Sequence, residues 1–186
     1  MEFQPLSAVN WPLLETLFGE KGACGGCWCM AWRYDAKTFN EGKGEPNKLA
    51  LKALAAAIPS PGILAIESEM AAGWIAIAPR EQYHRLEKSK VLQPVDEQKV
   101  WSISCFYIHN NWRRKGLSTQ LIHAATDYAK QHGAIIIEGY PTDTSTGNGK
   151  FVPVFNWTGV LESFAAAGFT EVVRRSTSRP IMRKTV

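Results

Sequence analysis

The chain has 186 residues, 45% of them hydrophobic and 20% charged, with a formal net charge of +4. This is the composition of a globular chain rather than a disordered one, and so small a charge gives no case for a nucleic-acid partner. No apolar run is long enough for a membrane span, and Met1 to Ser7 lacks a basic region followed by an apolar stretch, so no membrane partner and a cytoplasmic location are expected.

Phe3 to Leu6 reads as a short first strand. Asn10 suits an N-cap and Pro12 a first helical turn. Trp11, Leu14, Leu17 and Phe18 recur at helical spacing, and Gly19 and Gly22 mark the stop. A glycine- and cysteine-rich loop runs from Gly22 to Cys29, and Asn40 to Pro46 is polar and loop-like. Asn47 to Ile58 predicts a second helix, closed by Pro59 and Pro61. Gly62 to Ile66 and Gly73 to Ala78 read as two strands joined by a turn. Arg80 to Gln98 is an irregular polar excursion, and Val100 to Ile108 is a strongly apolar strand. Gly116 to His132 is an amphipathic helix, with Leu117, Leu121, Ala124, Ala125 and Tyr128 on one face. Ala134 to Ile137 suits a buried strand. Asp143 to Lys150 is a polar loop, Thr158 to Ala167 a short helix, and Thr170 to Arg175 and Pro180 to Arg183 the last two strands. With no repeat and no linker, residues 1–186 are expected to form one mixed α/β (α+β) domain.

The chemistry is concentrated in Phe106-Tyr107-Ile108-His109-Asn110-Asn111-Trp112-Arg113-Arg114-Lys115-Gly116-Leu117-Ser118. A buried strand ends, a basic turn follows and a helix begins. A helix start presents unpaired N–H groups and the positive end of its dipole, so it favours phosphates. Gly116 allows close approach to the backbone, and Arg113, Arg114 and Lys115 add charge. A solvated basic loop is the plain alternative.

Arg113-x-x-Gly116-x-Ser118 after an apolar strand resembles the Arg/Gln-x-x-Gly-x-Gly/Ala signature of the GNAT acyltransferases, and the element order resembles theirs too. The resemblance implies the GNAT fold: a central, mixed, mostly antiparallel sheet of six or seven strands, splayed between the fourth and fifth, with helices on both faces. It implies acetyl-CoA as donor, its pyrophosphate on the backbone of Arg113, Arg114, Lys115, Gly116, Leu117 and Ser118, with the Thr119 hydroxyl nearby. Backbone groups of Phe106, Tyr107 and Ile108 are then expected to bond the pantetheine arm and polarise the thioester, and Asn156 to contact that arm. Ser118 departs from the usual Gly or Ala. Phe164-Ala165-Ala166-Ala167-Gly168-Phe169 resembles the family's Tyr-x-x-x-Gly-Phe, but Phe164 stands where many members carry a proton-donating tyrosine.

Cys24-Gly-Gly-Cys27-Trp-Cys29-Met-Ala-Trp32 resembles a stretch of a bacterial branch of this family. Trp28 and Trp32 are both candidates to line the acceptor site, with core packing as the alternative; lining is preferred for Trp28 and core packing for Trp32. Cys24 and Cys27 have zinc-like spacing, but no second pair follows, so no metal and reduced thiols are expected. Glu138 and Tyr140 share a face at the end of the fifth strand and are the expected acid–base groups. Tyr107 and His109 are further candidates, with His109 read as a turn residue. Arg80, Tyr83 and His84 form a polar cluster, of which Tyr83 is the candidate to reach an acceptor. The expected partners are acyl-CoA and an amine acceptor; a homodimer stays open. The reading is direct acetyl transfer to a primary amine in a ternary complex, with a non-catalytic acyl-CoA-binding module or a metal- or redox-binding cysteine protein as rivals.

Overall fold

The computed structural model describes residues 1–146 and 156–186. Seven strands form one sheet: β1 (Glu2–Pro5), β2 (Gly62–Glu67), β3 (Met70–Pro79), β4 (Trp101–Ile108), β5 (Ile136–Gly139), β6 (Thr170–Arg174) and β7 (Pro180–Thr185). Their order across the sheet is β1-β2-β3-β4-β5-β7-β6. Every neighbouring pair is antiparallel except β4 and β5, which run parallel. The helices are α1 (Trp11–Phe18), α2 (Ala36–Glu41), α3 (Glu45–Ala55), α4 (His84–Glu87), α5 (Leu117–Gln131) and α6 (Leu161–Ala166).

Alternation along the strands divides the core between two faces. Ile63, Ile75, Ile77, Ile103 and Ile137 pack on one side against Leu117, Leu121, Ile122 and Ala125 of α5, together with Phe164 and Ala167. Leu64, Ile66, Trp74 and Cys105 pack on the other against Trp11, Leu14, Leu17 and Phe18 of α1 and Leu51 and Ala55 of α3. Apolar burial on both faces is what holds the sheet between its helices.

Several local expectations shift. The Asn10 side chain caps no helical N–H; it accepts from the Ser7 N–H at 2.8 Å and donates to the Pro5 carbonyl at 3.0 Å, bracing the preceding turn. The segment before α3 contains α2, whose N-cap Asp35 accepts from the N–H groups of Lys37 and Thr38. Its short, polar sequence has no apolar period to announce it. α3 begins at Glu45 with Pro46 in its first turn and ends at Ala55. β5 starts two residues later than expected, since Ile135 is 67% exposed and lies in the connection. α6 starts at Leu161, after a turn that Gly159 makes at φ +85°.

The decisive irregularity is in β4. Its pairing with β3 shifts between Ala76↔Cys105 and Ile77↔Ile103, leaving Ser104 as an extra residue. Such a bulge bends a strand and ends regular pairing. β4 pairs with β5 only at Trp101↔Ile137, Ser102↔Glu138 and Ile103↔Gly139. Beyond that point the two strands part. A Cβ on Gly139 would stand 2.0 Å from the Phe164 ring, so glycine lets this ring fill the base of the fork.

Candidate active site

The basic turn lies between β4 and α5. Arg113 donates from Nε to the Ile108 carbonyl at 2.9 Å, tying the turn to the end of β4. Arg114 and Gly116 both adopt left-handed backbone, at φ +59° and +75°. A Cβ on Gly116 would meet nothing within 4 Å, so the space beside this residue is open. Thr119 and Gln120 make the first helical bonds, both to the Gly116 carbonyl. The N–H groups of Leu117 and Ser118 precede that register and stand at the positive end of the helix. Leu117 anchors in the core, and the Ser118 hydroxyl lies 2.8 Å from that of Ser163 in α6. Serine is thus accommodated by a partner on α6. Arg113, Arg114 and Lys115 are exposed and form no ion pair among the described residues, and the Lys115 ammonium lies 5.2 Å from the Trp112 ring centre. His109 is an exposed turn residue whose Nδ1 accepts from the Asn111 N–H.

The fork between β4 and β5 is bridged by the segment after residue 155. The Phe106 N–H points into it and donates to the Trp157 carbonyl at 2.6 Å. Because strand N–H groups alternate in direction, that of Ile108 shares this edge. The N–H of Tyr107 points the other way, toward β3, where Tyr107 pairs with Trp74. The Tyr107 N–H is thus turned away from the fork, and its side chain faces a cavity. Asn156 follows the undescribed residues and does not line this cavity, and its carbonyl accepts from the Gly159 N–H. The Asp143–Lys150 loop lies partly outside the described residues.

The cavity, of about 450 Å³, opens on the α1 side of the fork. Trp32, Phe39, Phe106, Tyr107 and Trp157 are its aromatic lining residues, and Lys43 and Arg85 also line it. Of the two tryptophans, Trp28 packs in the core, and Trp32, half-buried against the cluster around Tyr83 and Leu86, also lines the cavity. Trp28 is 3% exposed, stacks on Trp11 at 5.9 Å and packs on Phe18 at 5.5 Å. Left-handed backbone at Trp28 and Cys29 (φ +42° and +54°) turns the chain so that Trp32 faces the cavity, 5.6 Å from Trp157. Tyr83 is fully buried beneath the Arg33 guanidinium and does not reach the cavity either. Arg85, two residues on, does. Period-based reading did not single out Trp157, Lys43 or Arg85 of this lining, since a loop aromatic or a lone cation carries no periodic signal.

Glu138 and Tyr140, expected as the acid–base groups, belong to a buried polar cluster. Both are fully buried and neither lines the cavity. Arg80, itself buried, donates to the Tyr140 hydroxyl at 2.7 Å and lies 3.9 Å from Glu138. It also donates to the Leu86 and Leu92 carbonyls. The Ser102 and Tyr140 hydroxyls share a hydrogen bond at 2.7 Å, and Arg183 lies 3.6 Å from Glu138. Burial raises the carboxyl of Glu138 against the opposing pull of Arg183 and Arg80. Burial, then Glu138, pushes the Tyr140 phenol up. The pair fastens β4, β5, β7 and the excursion together.

All four cysteines line the cavity. The Cys29 and Cys105 sulfurs are 3.2 Å apart, and the Trp74 indole N–H donates to Cys29. The neighbouring Cys29 thiol and burial hold Cys105 well above the ordinary thiol range, and burial pushes Cys27 up to about 11. Protonated thiols are poor nucleophiles and poor ligands. Among the described residues no group of three or more Cys, His, Asp or Glu is placed to hold a metal ion. Phe164 is fully buried between Phe106 and Phe169 and offers no proton. No helix among the described residues is long and apolar enough to cross a membrane.

Solved structures share this fold at low identity. The PaiA N-acetyltransferase of Thermoplasma acidophilum, solved in complex with coenzyme A, aligns with a TM-score of 0.56 at 14% identity, covering 100% of this chain and 98% of that one. A GNAT-family acetyltransferase of Listeria monocytogenes aligns at 0.58 and 10% identity, covering 100% and 94%. A GCN5-related N-acetyltransferase of Kribbella flavida aligns at 0.58 and 14%, covering 100% and 97%. No curated protein sequence matches the chain. The sequence itself matches the profile of the acetyltransferase (GNAT) family over residues 28–146. That match spans more than half of the chain, and it includes the basic turn and the forked strands: the chain belongs to the GNAT family of acetyltransferases.

Proposed function

We propose that this acetyltransferase moves an acetyl group from acetyl-CoA to a primary amine bound in the aromatic cavity. One juxtaposition carries the reading: the open, left-handed basic turn at Gly116 lies on one side of the β4–β5 fork and the cavity on the other. The residues fit the donor. The N–H groups of Leu117 and Ser118 and the charges of Arg113, Arg114 and Lys115 suit a pyrophosphate, and the vacant space beside Gly116 admits it. The edge N–H groups of Phe106 and Ile108 face the fork where a thioester carbonyl gains charge during attack, the place where a preorganised donor helps most. A similar structure solved with coenzyme A supports the choice of donor.

The acceptor nitrogen attacks the carbonyl carbon, the C–S bond breaks, and coenzyme A leaves as a thiolate. The nitrogen gives up its proton to water. Tyr107, the one phenol among the described lining residues, gives its proton to the thiolate and regains one from water. Glu138 and Tyr140 act in positioning only, by fixing the strands below the fork. Coenzyme A release, followed with a thiol reagent across an amine panel, tests the activity. Calorimetry with coenzyme A tests the donor site separately, so binding without release would leave a non-catalytic acyl-CoA-binding module.

A further inference from the structure

The charges around the cavity are of one sign. Lys43 and Arg85 both line it, and no Asp or Glu does among the described residues. Residues 147–155 contain no Asp or Glu in their sequence, so they have no carboxylate to contribute. Neither cation has an ion-pair partner among the described residues. Arg85 is held in place: its Nη1 donates to the Ala31 carbonyl at 3.0 Å and its backbone N–H to the Trp32 carbonyl at 3.0 Å. That leaves most of a half-buried guanidinium's donors for a ligand. Lys43 lies 5.4 Å from the Phe39 ring centre. Cys27 and Cys105, held protonated, bring no negative charge. The rest of the described lining is aromatic side chains together with small residues and the four cysteines.

We propose that the acceptor is a small amine with an aromatic-sized apolar body and a carboxylate, which Arg85 and Lys43 receive while Trp32, Trp157 and Phe39 pack the body. The inference rests on the reading of this cavity as the acceptor site. An acceptor with several ammonium groups loses hydration here and meets two like charges with no counter-ion, a mismatch that complementarity penalises. A carboxylate gains charge-assisted bonds from arginine's planar fork. The same field serves the chemistry. Nearby cations and apolar walls both disfavour a bound ammonium. They therefore favour the neutral amine that attack requires, which accounts for a cavity lined by no carboxylate base.

The test is saturation-transfer NMR of the full chain with coenzyme A bound. The probes are phenylalanine and 4-aminobenzoate, their two carboxamides, and spermidine. Expected is binding of at least one carboxylate probe at least tenfold tighter than its carboxamide and than spermidine, with Arg85→Glu erasing that preference. Equal binding of acid and amide, tighter binding of spermidine, or no binding by any probe overturns the proposal. Coenzyme A release is read in parallel with acetyl-CoA. A carboxylate probe that binds selectively but yields no release leaves the acceptor preference standing and removes the catalytic reading instead. Retained preference in Arg85→Glu, with the variant folded by circular dichroism, also overturns the assignment.

Discussion

The backbone N–H of Phe106 donates to the carbonyl of Trp157 at 2.6 Å, closing the fork between β4 and β5 with the same group that the proposed chemistry needs for the thioester oxygen. A donor in that fork must displace or share this bond. Acetyl-CoA is therefore expected to change the surroundings of Trp157, whose ring sits against Trp32. The check is the tryptophan fluorescence change on adding acetyl-CoA. It should be present in the wild type and largely absent in Trp157→Phe; an unchanged response in that variant places the donor elsewhere.

Gly116→Val is expected to weaken coenzyme A binding by at least about tenfold, or about 1.4 kcal/mol. The new side chain occupies open space beside the helix start, and a β-branched residue resists the φ of +75°. Gly116→Asn controls for backbone strain, since asparagine tolerates left-handed backbone. Calorimetry should show both variants impaired because both fill the space. Wild-type affinity in both would remove the pyrophosphate from this turn.

Tyr107→Phe should lower kcat by roughly tenfold to a hundredfold while coenzyme A affinity stays near wild type. Tyr140→Phe should do the reverse. It leaves buried Arg80 and Ser102 each short of a partner and costs about 1–3 kcal/mol of stability, with turnover per folded molecule unchanged. Denaturant titration and steady-state kinetics on both variants decide between them.

Arg80→Met should cost about 3–5 kcal/mol at pH 7, because it strips a neighbouring charge from buried Glu138. The Glu138 carboxyl already lies above its ordinary value of 4.5, and losing Arg80 raises it further. A carboxyl raised on folding binds more protons in the folded state, so its unfavourable contribution is absent below the unfolded value and grows as pH rises toward the folded one. The deficit of Arg80→Met should accordingly be smaller at pH 5 than at pH 8, and adding Glu138→Gln should remove that dependence. Unfolding curves at the two pH values are the measurement.

Among the thiols, exposed Cys24 should react first with iodoacetamide, and buried Cys29 and Cys105 last. Peptide mass spectrometry after timed quenching reads the order. Elemental analysis should find less than stoichiometric zinc; stoichiometric zinc lost in Cys27→Ser would contradict a protonated Cys27 thiol.

The sequence by itself determined the succession of strands along the chain, the basic turn at a helix start and the family resemblance. These rest on local physics: a period of two or 3.6, a glycine where φ is positive, and cations next to a helix start. The short polar helix α2 escaped because it has no buried face to imprint a period. The site residues escaped for a different reason. Glu138 and Tyr140 look like strand-end groups free to do chemistry until Arg80, far away in the chain, closes over both. Trp28 and Trp32 are equivalent in composition, and only the left-handed turn at Trp28 and Cys29 decides which is buried. Arg85 and Lys43 meet at one cavity through packing between loops distant in sequence. Which side chains converge is set by long-range contacts and by the bulge at Ser104 that parts β4 from β5, and neither has a local signature for a sequence to carry.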